Sequence, residues 1–150
     1  MPMPLEYARA SEDFDRFVEA LRQALGHDTR HQTYQTLESV LRVFRRRVTI
    51  GEGLIFADAL PAVLRAVFVK DWNVHEKMRG FGDMRSLNEE VRSWRANHDF
   101  SPDEAIEIVA TVLRHHVDPI TFNKALDRLP GKAHEFWKGR ENEPETAGRA

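Results

Sequence analysis

Seven histidines are the residues of this 150-residue chain whose side chains could bind a transition metal. Because the chain has no cysteine, a metal site would depend on histidine and carboxylate ligands. His27 and His31 are four residues apart, which suits two ligands on one face of a helix. Gly26, however, indicates a helix end at this point. Neither E-x-x-H nor H-E-x-x-H occurs, so we predict no metal ligands and no cofactor.

Nucleophilic catalysis has little support in the sequence. Ser11, Ser86 and Ser101 stand where helix caps are expected, and Ser39 lies inside a predicted helix without a G-x-S-x-G context. No glycine-rich phosphate loop is present, and the carboxylates are scattered along polar faces. We therefore predict a protein that is not an enzyme and has no catalytic residues.

An arginine cluster is the strongest charged feature. Arg42, Arg45, Arg46 and Arg47 supply four cations within six residues. One interpretation is a patch for nucleic acid or another polyanion. The other is structural, because cations at the last turn of a helix complement its dipole. The formal net charge of -2 and the lack of interleaved aromatic residues favour the structural interpretation.

The longest segment without helical periodicity is residues 70–84, which contains Trp72, Met78 and Phe81. Long loops in compact domains are often functional. Two interpretations stay open. Trp72 and Phe81 could fill a seam between two halves of the molecule, or the three side chains could be anchors for a protein partner.

The elements that position these residues are helices. Apolar residues recur at intervals of three and four in each half, as at Phe14, Phe17 and Leu21. Sequences typical of helix starts occur at 49–52, 86–89, 101–104 and 118–119. No apolar run approaches the roughly 18 residues that cross a bilayer. The first ten residues do not resemble a signal peptide, so we expect a cytoplasmic protein without a membrane partner.

The helical pattern occurs twice. Asp58, Leu60 and Pro61 match Asp127, Leu129 and Pro130 at an offset of 69 residues. Arg42 and Arg114 also match, as do Phe44 and His116, at an offset of 72. His116 is therefore predicted to be a packed histidine rather than a metal ligand. We further predict two structural ion pairs, Arg42 with Asp58 and Arg114 with Asp127.

The doubled helical unit, the segment LESVLRVFRRRVTIGEGLIFADALPAVLRAVF and the segment SPDEAIEIVATVLRHHV resemble the DUF2267 family of bacterial proteins. The resemblance covers residues 14–137. It implies an all-helical protein of unknown function and transfers no catalytic residues. The second copy departs from the first where HH stands in place of FRRR.

Together these observations predict an all-α, single-domain helical bundle of about eight helices built from two related four-helix units. The domain would span residues 11–138, with units at 11–72 and 84–138, and with flexible termini at 1–10 and 139–150. The leading functional hypothesis is a non-catalytic interaction module that binds an unknown protein partner or a second copy of itself. The alternatives are polyanion binding through residues 42–47, and an enzyme or metal-binding protein without a recognisable motif.

Overall fold

The computed structural model describes residues 3–94 and 101–140, and within these ranges the only regular secondary structure is helical. The first half contains α1 (Leu5–Ala8), α2 (Ala10–Leu25), α3 (Arg30–Arg45), α4 (Ile50–Asp58) and α5 (Ala62–Val69). The second half contains α6 (Met84–Ser93), α7 (Ala105–Arg114), α8 (Pro119–Asp127) and α9 (Lys132–Phe136). The predicted all-α class is confirmed.

Several helix boundaries follow from local side-chain chemistry. Thr49 accepts a hydrogen bond from the backbone N–H of Glu52, whose carboxylate accepts in return from the N–H of Thr49, so the predicted capping box is present. Gly26 ends α2 in the left-handed conformation, with φ of 71°, which glycine adopts without steric cost. Asp118 caps α8, and Pro119 occupies its first turn.

Three predicted serine caps are wrong. Asp83, not Ser86, caps α6, and Ser86 is already inside the helix as the donor to Asp83. Ser101 precedes α7 by several residues and shares a hydrogen bond with Thr36 of α3. Ser11 lies within α2, which starts at Ala10 without a side-chain cap. For Ser101 a tertiary contact with Thr36 takes the place of the predicted local cap.

One hydrophobic core joins the two halves of the chain. Helix α2 packs along α7, α3 contacts both α6 and α7, and α4 contacts α8. Phe44 and Phe56 from the first half meet Trp137 from the second, with ring centroids 5.4 Å and 5.2 Å apart. Because all three rings are fully buried, neither half retains its apolar core without the other.

The described parts of the predicted termini, residues 3–10 and 139–140, make contacts with the rest of the fold. Helix α1 lies within the predicted N-terminal tail, and Glu6 pairs with Arg65 of α5 at 3.0 Å. At the other end the backbone N–H of Arg140 donates to the hydroxyl of Thr111. Within the described ranges, every helix is too short or too polar to cross a bilayer.

Candidate interaction surface

The arginines at the end of α3 are engaged inside the molecule. Arg45 is buried, and its Nη1 donates to the carbonyl oxygens of Phe68 at 2.8 Å and Lys70 at 2.9 Å. These carbonyls lie at the end of α5, where unpaired acceptors and the negative end of the helix dipole favour a cation. Burial lowers the pKa of the Arg45 guanidinium. Arg45 therefore fixes the end of one helix to the end of another.

Arg46 and Arg47 converge on a single carboxylate in the second half, Glu90 of α6. Arg47 contacts both carboxylate oxygens, with Nη2 2.6 Å from Oε1 and Nη1 3.0 Å from Oε2. Arg46 lies 2.9 Å from Oε2 and stacks over the ring of Trp94 at 4.2 Å. Burial raises the pKa of the Glu90 carboxyl, but hydrogen bonds from Arg47 and Arg46 outweigh it, so the net pKa is lowered.

The predicted pair between Arg42 and Asp58 is replaced by other contacts. Nη2 of Arg42 lies 3.2 Å from Glu38, one turn earlier in α3, and 3.3 Å from the carbonyl oxygen of Lys70. Asp58 ends α4 and borders a shallow surface depression next to Arg128. The predicted pair does not form because α3 directs Arg42 toward the end of α5 rather than toward α4.

The predicted pair between Arg114 and Asp127 is also replaced. Nε of Arg114 donates to the carbonyl oxygen of Trp137 at 2.6 Å, and Nη1 donates to Asn123 at 3.0 Å. Asp127 instead contacts His134 at 2.8 Å. Arg45 and Arg114 thus bind the carbonyls of Phe68 and Trp137, each of which follows its leucine-proline step by the same number of residues. The arginines recognise helix ends rather than aspartates.

Trp72 and Phe81 pack against the core from the loop of residues 70–83. The indole ring of Trp72 covers Gly53 so closely that a Cβ atom there would lie 2.2 Å from Cη2. Trp72 also meets Phe68, with ring centroids 5.9 Å apart, and Phe81 meets Phe44 at 6.2 Å. Both aromatic residues therefore pack against the core of the first half, through Gly53, Phe68 and Phe44, so these contacts do not place them in a seam between the halves.

The same loop is held to the end of α3 by backbone contacts. The N–H of Arg79 donates to the carbonyl of Arg46 at 2.9 Å, and Nε of Arg47 donates to the carbonyl of Gly80 at 3.3 Å. Asp71 adopts a φ of 54°, a left-handed conformation that aspartate tolerates better than most residues. These contacts tie the loop to the end of α3, despite its lack of helical periodicity.

The exposed apolar residues of this region surround a groove of about 290 Å³. Ile50 at the start of α4 and Val74 and Met78 from the loop line it, and they are 45%, 49% and 55% exposed. Leu54 lies one turn after Ile50 and is 54% exposed. We call Ile50, Leu54, Val74 and Met78 the apolar rim. Of the three predicted loop anchors, only Met78 belongs to it.

The histidines do not form a common site in the described residues. His27 lies just after α2, is buried, and contacts the hydroxyl of Thr33 at 3.1 Å, whereas His31 is exposed on α3. His116 is half-buried, with Nδ1 3.0 Å from the carbonyl of Val112 and its ring 5.4 Å from that of Phe17. In residues 3–94 and 101–140 no three histidine, aspartate or glutamate side chains form a group that could hold a metal ion. His98 lies outside the described residues.

Three contributors to this region, Ile50, Leu54 and Glu90, were not identified from the sequence. Ile50 and Leu54 are apolar residues four apart at the start of a capped helix, so their shared face could have been noticed as a separate stripe. Glu90 has no comparable signal, since it is one of two adjacent glutamates in a polar segment. Its role depends on which helix packs beside the arginines.

These features define an all-α helical protein with an internally neutralised arginine cluster. The sequence profile described as "Uncharacterized conserved protein (DUF2267)" matches residues 14–136, which is most of the chain. The protein belongs to the DUF2267 family, as the resemblance in its motifs indicated. No curated protein sequence matches the chain.

Proposed function

We propose that this protein is a non-catalytic interaction module that docks a protein partner on the apolar rim. The observation that carries the proposal is that Ile50, Val74 and Met78 remain exposed around a groove that Trp72, packed over Gly53, also lines. Exposed apolar side chains that cluster on a fixed surface are typical of protein-binding sites.

The contacts that anchor the loop support the same proposal. Arg45, Arg46 and Arg47 hold the loop through backbone carbonyls and through Glu76, which lies 3.2 Å from Arg46. A loop that is held in place before binding loses little conformational entropy when the partner binds. The favourable contacts of Val74 and Met78 would then be offset by a smaller entropy cost, which raises the affinity. The partner surface would be apolar and of limited size.

The polyanion hypothesis is less well supported. Arg42, Arg45, Arg46 and Arg47 each have intramolecular acceptors, so a phosphate group would have to compete with Glu38, Glu90 or backbone carbonyls. Counterion release by a cluster already neutralised in this way would be small. We therefore place the protein-docking function first.

Photo-crosslinking tests the proposal. The photoreactive amino acid p-benzoylphenylalanine is placed at position 78, and at position 89 as a matched control, because Glu89 is exposed on α6 away from the groove. We expect an adduct from position 78 and none from position 89. With the purified chain the adduct would be a dimer of this protein, and in a lysate of the source organism it would identify a different partner.

The variant Ile50→Asp provides the second arm. An aspartate in the first turn of α4 is compatible with the helix dipole, so this change removes apolar contact area without opposing the helix. We expect it to reduce the adduct from position 78 at least fivefold. Equal labelling from positions 78 and 89, or an adduct unaffected by Ile50→Asp, would rule out docking on the apolar rim.

A further inference from the structure

A second concave site lies on a different part of the molecule. It is a cleft of about 400 Å³ between α2, the start of α5 and the residues after α7. Phe14, Phe17, Val63, Leu64 and Val117 supply its apolar walls. This volume and lining fall within the range of small-molecule sites, which are mostly apolar with a few placed polar groups.

His116 is the half-buried polar group of these walls, whereas the neighbouring His115, which also lines the cleft, is exposed. Its Nδ1 lies 3.0 Å from the carbonyl oxygen of Val112, which can only accept, so Nδ1 carries the proton and donates. In the neutral imidazole this fixes Nε2 as an acceptor. Nε2 has no hydrogen-bond partner within residues 3–94 and 101–140, so it can accept a hydrogen bond from a ligand.

The charged groups at the rim of the cleft are already paired. Asp13 forms an ion pair with Arg16 in α2, and Glu6 pairs with Arg65 at 3.0 Å. A charged ligand would have to break one of these pairs or be buried against apolar walls, and burying an unpaired charge is unfavourable. The lining therefore favours a neutral ligand.

We propose that this cleft binds a neutral, mainly apolar small molecule that carries a hydroxyl group. The apolar body of the ligand lies against Phe14, Phe17 and Leu64, and its hydroxyl donates to Nε2 of His116. Simple alkylphenols have this chemistry. The site is separate from the apolar rim and does not depend on the docking function.

The test compares two probes in NMR titrations of the full chain. The probe 4-ethylphenol can donate a hydrogen bond, whereas 4-ethylanisole has a similar shape and cannot. We expect both probes to shift the backbone amides of Ala62, Val63 and Val117, and we expect the phenol to bind about fivefold to tenfold more tightly, the value of one hydrogen bond.

The variant His116→Phe keeps an aromatic ring beside Phe17 and removes the acceptor. We expect it to bind the phenol and the anisole with equal affinity. The variant Ala62→Leu adds volume to the cleft wall, and its folding is checked by circular dichroism. We expect it to weaken the binding of both probes at least tenfold. Amide shifts outside the cleft, equal affinity for the two probes in the wild type, or a preference for the phenol that persists in His116→Phe would overturn the proposal. Undiminished binding of both probes to folded Ala62→Leu would overturn it as well.

Discussion

Arg47 and Glu90 form a two-point contact between the end of α3 and the middle of α6, with Nη2 2.6 Å from Oε1 and Nη1 3.0 Å from Oε2. The Arg47 side chain is only 6% exposed and that of Glu90 is 16% exposed. A planar guanidinium matches a carboxylate in this geometry, which a lysine could not reproduce. The contact joins the two sequence halves through charge, in addition to their shared apolar core.

The first prediction concerns the loss of this carboxylate. Glu90→Gln replaces two charged carboxylate oxygens with one neutral amide oxygen, so the charge-assisted contacts to Arg46 and Arg47 are weakened and one acceptor is lost. We expect the free energy of unfolding to fall by about 2–3 kcal/mol in urea denaturation. The neighbouring Glu89→Gln is the control and should change stability by less than about 0.5 kcal/mol, because Glu89 is exposed. Equal effects of the two variants would contradict the role of Glu90.

The second prediction is the pH dependence of that effect. The pKa of Glu90 is lowered in the folded protein, so the unfolded state binds the proton more readily. Its stabilising contribution is therefore complete above the unfolded pKa of about 4.3 and is lost as the pH falls through the lower folded value. We expect the stability difference between wild type and Glu90→Gln to be constant from pH 7 to pH 5 and to shrink below pH 4. A difference that grows on acidification would contradict this sign.

The third prediction uses two glycines of α4. Gly53→Ala would place a Cβ atom 2.2 Å from Trp72, so the indole ring must move, and we expect a loss of about 1–3 kcal/mol and a shift in tryptophan fluorescence. Gly51→Ala meets no atom within 4 Å and should be neutral or stabilising by up to about 1 kcal/mol, because alanine favours the helix. In a Trp72→Leu background the cost of Gly53→Ala should decrease. The same destabilisation for both alanine variants would argue against the close approach of Trp72.

The fourth prediction separates the observed arginine contacts from the predicted aspartate pairs. Arg114→Met leaves the carbonyl of Trp137 without its donor and should destabilise the protein by about 1–3 kcal/mol. Asp127→Asn should change stability by less than about 0.5 kcal/mol, because Asp127 is exposed and contacts His134 instead. Thermal unfolding followed by circular dichroism distinguishes the two. Comparable losses of stability in the two variants would instead support an ion pair between Arg114 and Asp127.

The fifth prediction addresses the dependence of one half on the other. A fragment of residues 1–72 lacks Trp137 and Phe122, which pack against Phe56 in the full chain. We expect this fragment to show partial helicity and a broad, weakly cooperative urea transition, since its core residues are exposed to solvent without the second half. A sharp transition with the stability of the whole chain would mean that the first unit folds alone.

Much of the helical architecture could be predicted from local patterns. Apolar residues at intervals of three and four determine which face of a helix is buried, and Thr49 with Glu52 or Asp118 with Pro119 determine where a helix begins. These signals act within one or two turns of the chain, so they are present in the sequence itself. The serine caps were wrong in three different ways, since Asp83 caps α6 in place of Ser86, whereas Ser101 lies before its helix and Ser11 lies within its helix.

The partners of the charged residues could not be predicted in the same way. The sequence alignment of the two halves paired Arg42 with Arg114, but Arg45 and Arg114 are the arginines that bind corresponding backbone carbonyls, and Arg42 contacts Glu38 and the carbonyl of Lys70. Met78 was named as an anchor together with Trp72, yet only the packing of the loop distinguishes the half-buried indole from the exposed thioether.

The sequence by itself therefore determined that the chain forms amphipathic helices and where most of them begin and end. It also showed none of the catalytic motifs considered above. Only the tertiary structure decided that the arginines are neutralised internally, that Ile50, Val74 and Met78 are left at the surface, and that His116 faces a cleft. The physical reason is the distance along the chain over which each interaction acts. Helix propensity and capping act between residues close in the chain, whereas ion pairs and exposed patches depend on how distant helices pack together.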